Sequence, residues 1–408
     1  MLGSLVGALV FITGLPVVAG AGYLLVLVAA CWRHRPVAAT GTPRSGLAVL
    51  VPAHNEAETI ADCVRSLLGQ EYPRERLRVL VIADNCSDDT AARAVEAGAD
   101  VLVRNVPQLR GKGHALQWAM ERVLAEADPP DALVVVDADA RAEPRFLAEL
   151  EGWLASGHDA VQANSFLQPE PGSARSQLEA AAMLLRARVR YSGLTELGIP
   201  AGLGGNGMLL SRQVLQAHPW EAHSPTEDAE HTIKLLLAGV RPVFAARARI
   251  WSRTTASERG AYTQGVRWES GRFSAMRRTL PRVFRAALRR RDLLLLVRAV
   301  DFAVPPLTIL AAITALGTLV AAVLVAAGVI PPLALLPWAL AALALPTYVL
   351  LGLAAAGAPA ETYLAVLALP RFLARKLRIY AYLLAHGGER DWVRTQRPAE
   401  LREGRDAN

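Results

Sequence analysis

Ala132-Leu-Val-Val-Val-Asp-Ala-Asp139 is the stretch whose reading decides the fold. An unbroken Val-rich run reads as a strand buried on both faces, and two acids stand where the run ends. Strands of that kind belong to parallel sheets, which gather their ligands at the carboxyl ends. Three upstream runs share the form. Leu47–Val51 is followed by Pro52-Ala-His-Asn-Glu56, Leu77–Ala83 by Asp84-Asn-Cys-Ser-Asp-Asp89, and Val101–Val103 is a short strand. Helical stretches separate them: Ala57–Leu68, Thr90–Ala97 and Lys112–Ala125. The β-α alternation predicts an α/β domain with a doubly wound, mostly parallel sheet. Polar residues at three strand ends on one edge predict a site, and Ser87 or Asp88 is placed to cap the helix at Thr90.

The chain has 408 residues, room for one large catalytic domain and a membrane region. It is 52% hydrophobic and 20% charged, with a mean hydropathy of +0.26 that soluble enzymes rarely reach. The net charge of +7 fits the excess of basic residues on the inner side of a membrane protein. No aromatic-interleaved basic motif accompanies it, so nucleic acid is not an expected partner. Cys31, Cys63 and Cys86 show no metal-ligand spacing, and so sparse a set fits a reducing compartment.

From about Leu5 to Ala30 the chain is apolar and uncharged. That exceeds the roughly 20 residues a span needs and the usual signal-peptide core, and no charged segment precedes it. Arg33, His34 and Arg35 place its far end in the cytoplasm. A second apolar block, Ala303–Leu353, is broken by Gly328-Val-Ile-Pro-Pro332 into two spanning helices. Arg371, Arg375, Lys376 and Arg378 follow it, so both sides of this hairpin face the cytoplasm. The expected organisation is an N-terminal span (1–32), a cytoplasmic domain (45–280), an amphipathic interfacial helix (281–300), a two-helix hairpin (303–357), and an interfacial helix with a basic tail (360–408). A span over Tyr363–Leu384 would bury four cations in hydrocarbon. The expected location is the inner (plasma) membrane, multi-pass.

Asp137 and Asp139 stand two apart on what reads as an extended segment. With Ala138 turned away, both carboxylates reach one Mg²⁺ or Mn²⁺, hard ions that keep water and substrate phosphate in their shell. Such an ion stabilises a leaving diphosphate. Lys112 lies between Gly111 and Gly113 at a helix start, which suits a phosphate or nucleotide contact. In Gln264-Gly-Val-Arg-Trp268, Gln264 and Trp268 share a helix face with Arg267 beside it. Arg267 suits the diphosphate, and Trp268 suits stacking on an acceptor sugar.

Pro52-Ala-His-Asn-Glu56, Asp84-Asn-Cys-Ser-Asp-Asp-Thr90, Gly111-Lys-Gly113, Asp137-Ala-Asp139, Thr226-Glu-Asp228 and Gln264-Gly-Val-Arg-Trp268 occur in that order over roughly residues 45 to 280. In that order they resemble a family 2 glycosyltransferase of GT-A fold, of the membrane-embedded kind that includes cellulose, chitin, hyaluronan and poly-N-acetylglucosamine synthases. The resemblance implies a GT-A (Rossmann-like) domain plus an α-helical transmembrane region. It implies that Asp139 ligates the metal and Asp137 lies nearer the ribose. Asp84 accepts from the nucleotide base, with Pro52, Asn55 and Glu56 lining the donor pocket. Asp228 is the acceptor's base, and Thr226, Gln264 and Trp268 meet the acceptor. Glu227 is placed to orient that base or to help position the acceptor, and Asn206 and Gly207 to form a floor under it.

The implied activity is inverting transfer from a nucleotide-sugar, UDP-linked glucose or N-acetylglucosamine by analogy, to a glycan or lipid-linked acceptor. The aromatic–Cys–Gly motif of the larger synthases is absent near Gly202-Leu-Gly-Gly-Asn-Gly207, and their gating motif is not recognisable at Arg253-Thr-Thr-Ala-Ser257. Three spans give little material for a polysaccharide channel, which a homodimer or a membrane partner subunit would complete. A nucleotidyltransferase would carry a Gly-rich phosphate loop where Pro52-Ala-His-Asn-Glu56 stands. A non-catalytic subunit of an export system would need neither the Thr-Glu-Asp triplet nor the Gln/Arg/Trp cluster.

Overall fold

The computed structural model describes residues 2–36, 38–39, 41–254 and 258–386. Its strands are β1 (Leu47–Ala53), β2 (Leu77–Asp84), β3 (Asp100–Arg104), β4 (Ala132–Val135), β5 (Ala140–Ala142), β6 (Ala160–Gln168), β7 (Met208–Ser211) and β8 (Val243–Arg253). They form one sheet in the order β3-β2-β1-β4-β7-β6-β8-β5. The first four are parallel. β7 runs antiparallel between β4 and β6, and β5 runs antiparallel to β8.

Successive side chains of β1 feed two different cores, which is why its sequence is apolar without alternation. Leu47, Val49 and Val51 pack with Ile60, Val64 and Leu67 of the helix Ile60–Leu68. Ala48 and Leu50 pack with Leu116, Ala119 and Val123 of the helix Lys112–Leu124. The register carries this layering to the site. Ala53 is level with Ala83, and Leu50 with Val135, so the chain emerging from β1, β2 and β4 meets along one edge.

Three helices are long and apolar enough to cross a membrane: Gly3–Arg33, Leu307–Ala326 and Pro332–Ala356. Close approach at glycines joins them. A Cβ on Gly317 would stand 2.0 Å from the Trp338 ring, and Trp338 Nε1 donates to the Val10 carbonyl at 2.9 Å. The first helix also meets the α/β domain, since a Cβ on Gly193 would lie 2.4 Å from the Leu27 carbonyl oxygen.

The stretch read as one interfacial helix over 281–300 is divided. Helix Glu258–Arg290 runs through Pro281, and Leu293–Ala303 begins afresh beyond Arg291, whose φ is 53°. Asp292 caps the new helix by accepting from the Leu295 amide at 3.0 Å. Helix Leu369–His386 packs along Glu258–Arg290. Lys376 pairs with Glu269 at 3.4 Å, and the Tyr380 and Phe273 rings meet edge to face. Residues 387–408, read as a basic tail, lie outside the described residues.

Candidate active site

A cavity of about 940 Å³ lies at the carboxyl edge of the parallel strands. Pro52, His54 and Glu56 line it from β1, Asp84 from β2, and Asp137 and Asp139 from the turn after β4. Asp84 faces Arg104 across the β2–β3 pairing, and Arg104 Nη1 donates to Asp84 Oδ1 at 2.5 Å with both side chains buried. Asn85 Nδ2 donates to the same oxygen at 2.9 Å. The carboxylate is therefore fixed in direction, with Oδ1 committed. Arg104 went unread in the sequence, and its only signal was a cation ending a short strand. His54 Nδ1 donates to the Asp84 carbonyl at 2.7 Å.

Asn55 does not line the cavity as expected. At φ 55° it turns to the neighbouring loop, where Oδ1 accepts from the Ser87 amide at 2.7 Å and Nδ2 donates to Ser87 Oγ at 3.0 Å. Asp88 joins the same two loops by accepting from the amides of Thr90 at 3.0 Å and Ala57 at 3.2 Å.

Asp137 and Asp139 stand on a turn, not an extended segment: the Ala140 amide donates to the Asp137 carbonyl at 3.0 Å. Ala138, read as turned away, is buried but lines the cavity together with Asp137 and Asp139. Asn206 and Gly207, read as an acceptor floor, do not line the cavity. Asn206 is buried behind the turn, its Oδ1 accepting from the Asp137 amide at 3.1 Å and its Nδ2 donating to Ser252 Oγ at 3.2 Å. A Cβ on Gly207 would lie 2.6 Å from Ala163. Gly202, Gly204 and Gly205 line the cavity instead.

Lys112 holds the centre. Its Nζ lies 2.5 Å from Asp137 Oδ1, 2.7 Å from the Gly205 carbonyl and 3.7 Å from Glu227 Oε1. Burial alone would depress this lysine, but the Asp137 and Glu227 carboxylates hold it above its usual range, so it stays charged. The tight approach of its helix depends on Gly113, where a Cβ would stand 2.1 Å from the Ala222 carbonyl. Gly113→Ala should cost about 1–3 kcal/mol of stability, read as a lowered Tm.

Glu227 and Asp228 open the helix Glu227–Ala238. Burial pushes Glu227 up to about 7, with Lys112 opposing and Asp228 adding to the rise. Burial also raises Asp228, and the Arg186 guanidinium is the strongest influence against it. Asp228 Oδ1 accepts from the Ala229 amide at 2.7 Å, and a Cβ on Gly205 would be 3.3 Å from Oδ2. Thr226 makes no side-chain cap. Its methyl packs on Gly271, where a Cβ would fall 2.3 Å from Thr226 Cγ2. That contact seats Glu258–Arg290 over the triplet, and Gln264 of this helix lines the cavity. Arg267 and Trp268 lie on the same helix, but their side chains fall outside the described residues, as do residues 255–257.

Around the Lys112 ammonium the site therefore sets a hard-oxygen edge at Asp137 and Asp139 against a buried pair at Glu227 and Asp228. Among the described residues no three His, Cys, Asp or Glu side chains form a group able to hold a metal alone. The donor set suits an ion that takes one or two carboxylates and completes its shell with water and substrate phosphate. The Lys112 ammonium lies on Asp137 Oδ1, so that oxygen already carries a positive neighbour.

Residues 43–271 match the sequence model of a family described as glycosyltransferase like family 2. The chain is 30% identical over 207 residues to beta-monoglucosyldiacylglycerol synthase of Synechocystis sp. (strain PCC 6803), covering 49% of this chain and 42% of that protein. It is 25% identical over 238 residues to poly-beta-1,6-N-acetyl-D-glucosamine synthase of Staphylococcus aureus (strain COL), covering 55% of this chain and 54% of that one. The chain thus spans about half the length of these curated relatives. Among solved structures, the mannosyltransferase PcManGT from Pyrobaculum calidifontis, in complex with GDP-Man and Mn²⁺, aligns with a TM-score of 0.52 over 84% of this chain and 96% of that one. At 21% identity that likeness is one of fold.

Proposed function

The chain belongs to glycosyltransferase-like family 2, and from that premise we propose that it transfers a sugar from a nucleotide-sugar to an acceptor hydroxyl with inversion at the anomeric carbon. The observation that carries the reading is the meeting of Asp137, Glu227 and Asp228 around one lysine, in a cavity that also reaches Asp84 and Asp139.

In this reading Asp84, held by Arg104 and Asn85, receives the nucleotide base through its remaining oxygen. Pro52 and Glu56 border that pocket. Asp139, with Asp137 beside it, would hold Mg²⁺ or Mn²⁺, which when bound supplies positive charge to the diphosphate. Lys112 adds a fixed charge between the donor side and the buried acids. Asp228 takes the acceptor's hydroxyl proton as its oxygen bonds to the anomeric carbon. The bond from that carbon to the diphosphate breaks, and the nucleoside diphosphate leaves with the electron pair. Glu227, pushed up to about 7 by burial, orients this exchange and limits the negative charge beside Asp228. Thr226 and Gln264 border the acceptor side.

The three apolar helices would anchor the enzyme in the inner membrane, with residues 45–280 on the cytoplasmic side where nucleotide-sugars occur. Membranes carrying the full chain, incubated with a panel of labelled UDP- and GDP-sugars, should pass label from at least one donor into a lipid or glycan product of inverted configuration. A product retaining the donor's configuration would contradict the proposal.

A further inference from the structure

The cavity does not end at the acids. It continues to Arg186, Arg190, Arg298 and Asp301, where it reaches a partner of Tyr23 on the first apolar helix. Asp301 is saturated there: Oδ1 accepts from Arg190 Nε at 2.7 Å and from Tyr23 at 2.9 Å, and Oδ2 accepts from Arg298. Two guanidinium charges thus share one carboxylate in a buried setting, where an unbalanced charge is costly. Arg298 is 3% exposed, and its Nε is a buried donor with no partner among the described residues. Arg186 is exposed, lines the same cavity, and has no hydrogen bond or ion pair among the described residues. It lies on a π-helical segment, Leu184–Arg190, a rare form common at functional sites.

The glycine segment ties this end to the acids. A Cβ on Gly202 would stand 2.7 Å from Arg298 Nη2, and one on Gly205 3.3 Å from Asp228 Oδ2. Three peptide steps hold the Cα atoms of these two glycines within roughly 11 Å of each other. Beside the arginines, Met276, Leu280 and Val283 line the cavity from one face of Glu258–Arg290, joined by Phe302. The helix bearing Arg298 leads directly into Leu307–Ala326, and Tyr23 lies on the N-terminal apolar helix. Surplus guanidinium donors next to an apolar wall, tied through Asp301 and Tyr23 to the N-terminal apolar helix, match a phosphate carrying a hydrocarbon chain.

We propose that this end of the cavity binds an anionic phospholipid with a hydroxyl in its headgroup. Arg298 and Arg186 hold the phosphate, the chain lies along Met276, Leu280, Val283 and Phe302, and the hydroxyl faces Asp228. The inference rests on Asp228 as the acceptor's base and specifies the acceptor's class. The transfer itself is unchanged: the headgroup oxygen gains the sugar, Asp228 the proton, and the nucleoside diphosphate departs.

The test is equilibrium binding to the full chain in neutral detergent of dioctanoyl phosphatidylglycerol, dioctanoylglycerol and glycerol phosphate. Phosphatidylglycerol should bind at least tenfold tighter than either of the others. Arg186→Ala, a change at an exposed position, should weaken phosphatidylglycerol at least fivefold and leave dioctanoylglycerol unmoved. Arg298→Gln should act in the same direction, but it breaks a buried pair, so the Arg186 variant decides if that protein does not fold. Equal affinity for the two lipids, or indifference to Arg186→Ala, overturns the site. Glycerol phosphate binding as tightly as the lipid overturns the lipid assignment. UDP binding, measured on the same samples, fails only if the transfer reading itself fails.

Discussion

Asp228→Asn should lower kcat by roughly 10²–10⁴-fold, the range general-base catalysis supplies, and leave donor affinity within about threefold. The substitution is nearly isosteric. An asparagine Oδ1 can keep the 2.7 Å bond from the Ala229 amide, so the start of helix Glu227–Ala238 and the seat of Lys112 should survive. What disappears is the proton acceptor of the proposed transfer. Glu227 is the competing base, since it is adjacent, buried and pushed up to about 7. Its Oε1 faces Lys112 at 3.7 Å, so Glu227→Gln should disturb the electrostatics and cost less turnover. Steady-state kinetics with a titrated donor separates the two. Near-normal turnover in Asp228→Asn with collapse in Glu227→Gln would exchange the assignments.

Asp139→Ala should act on binding rather than on turnover of bound donor. Donor affinity in Mn²⁺ should fall at least roughly tenfold, the scale on which even outer-shell partners of a metal weaken a site when lost. EDTA should bring the unmodified enzyme down to the same level and have no further effect on the variant, because both treatments remove the same contribution. Asp137→Ala should behave differently. It strips Lys112 of its 2.5 Å partner and leaves Glu227, at 3.7 Å, as the nearest carboxylate, so turnover should fall along with affinity. Calorimetric titration of the nucleoside diphosphate, with and without metal, reads both variants. An Asp139→Ala enzyme with unchanged metal-dependent affinity would remove this residue from the metal.

The parallel half of the fold was legible because β1, β2 and β4 are buried on both faces, so their sequences carry a continuous apolar signal. The antiparallel half was not. β5 has 3 residues and β7 has 4, too few for any period to emerge, and their pairing depends on partners distant in the chain. The acids at the strand ends were readable for the same reason as the strands. What stands behind them was not. Arg104 meets Asp84 only through the β2–β3 register, and Asn206 reaches the Asp137 amide only once β7 has inserted beside β4. The glycine richness of residues 202–207 is plain in the sequence, yet which of these glycines line the cavity depends on turns that no local pattern dictates. Lys112 was placed near a phosphate, and its contacts with Asp137, Glu227 and Gly205 required three separate segments to converge.

The central claim is tested most directly by the small product. Full-length protein in detergent, given Mn²⁺ and a nucleotide-sugar it turns over, should release nucleoside diphosphate in step with sugar transfer, and Asp228→Asn should stop both. Release of pyrophosphate, or transfer that persists in Asp228→Asn, would contradict the account.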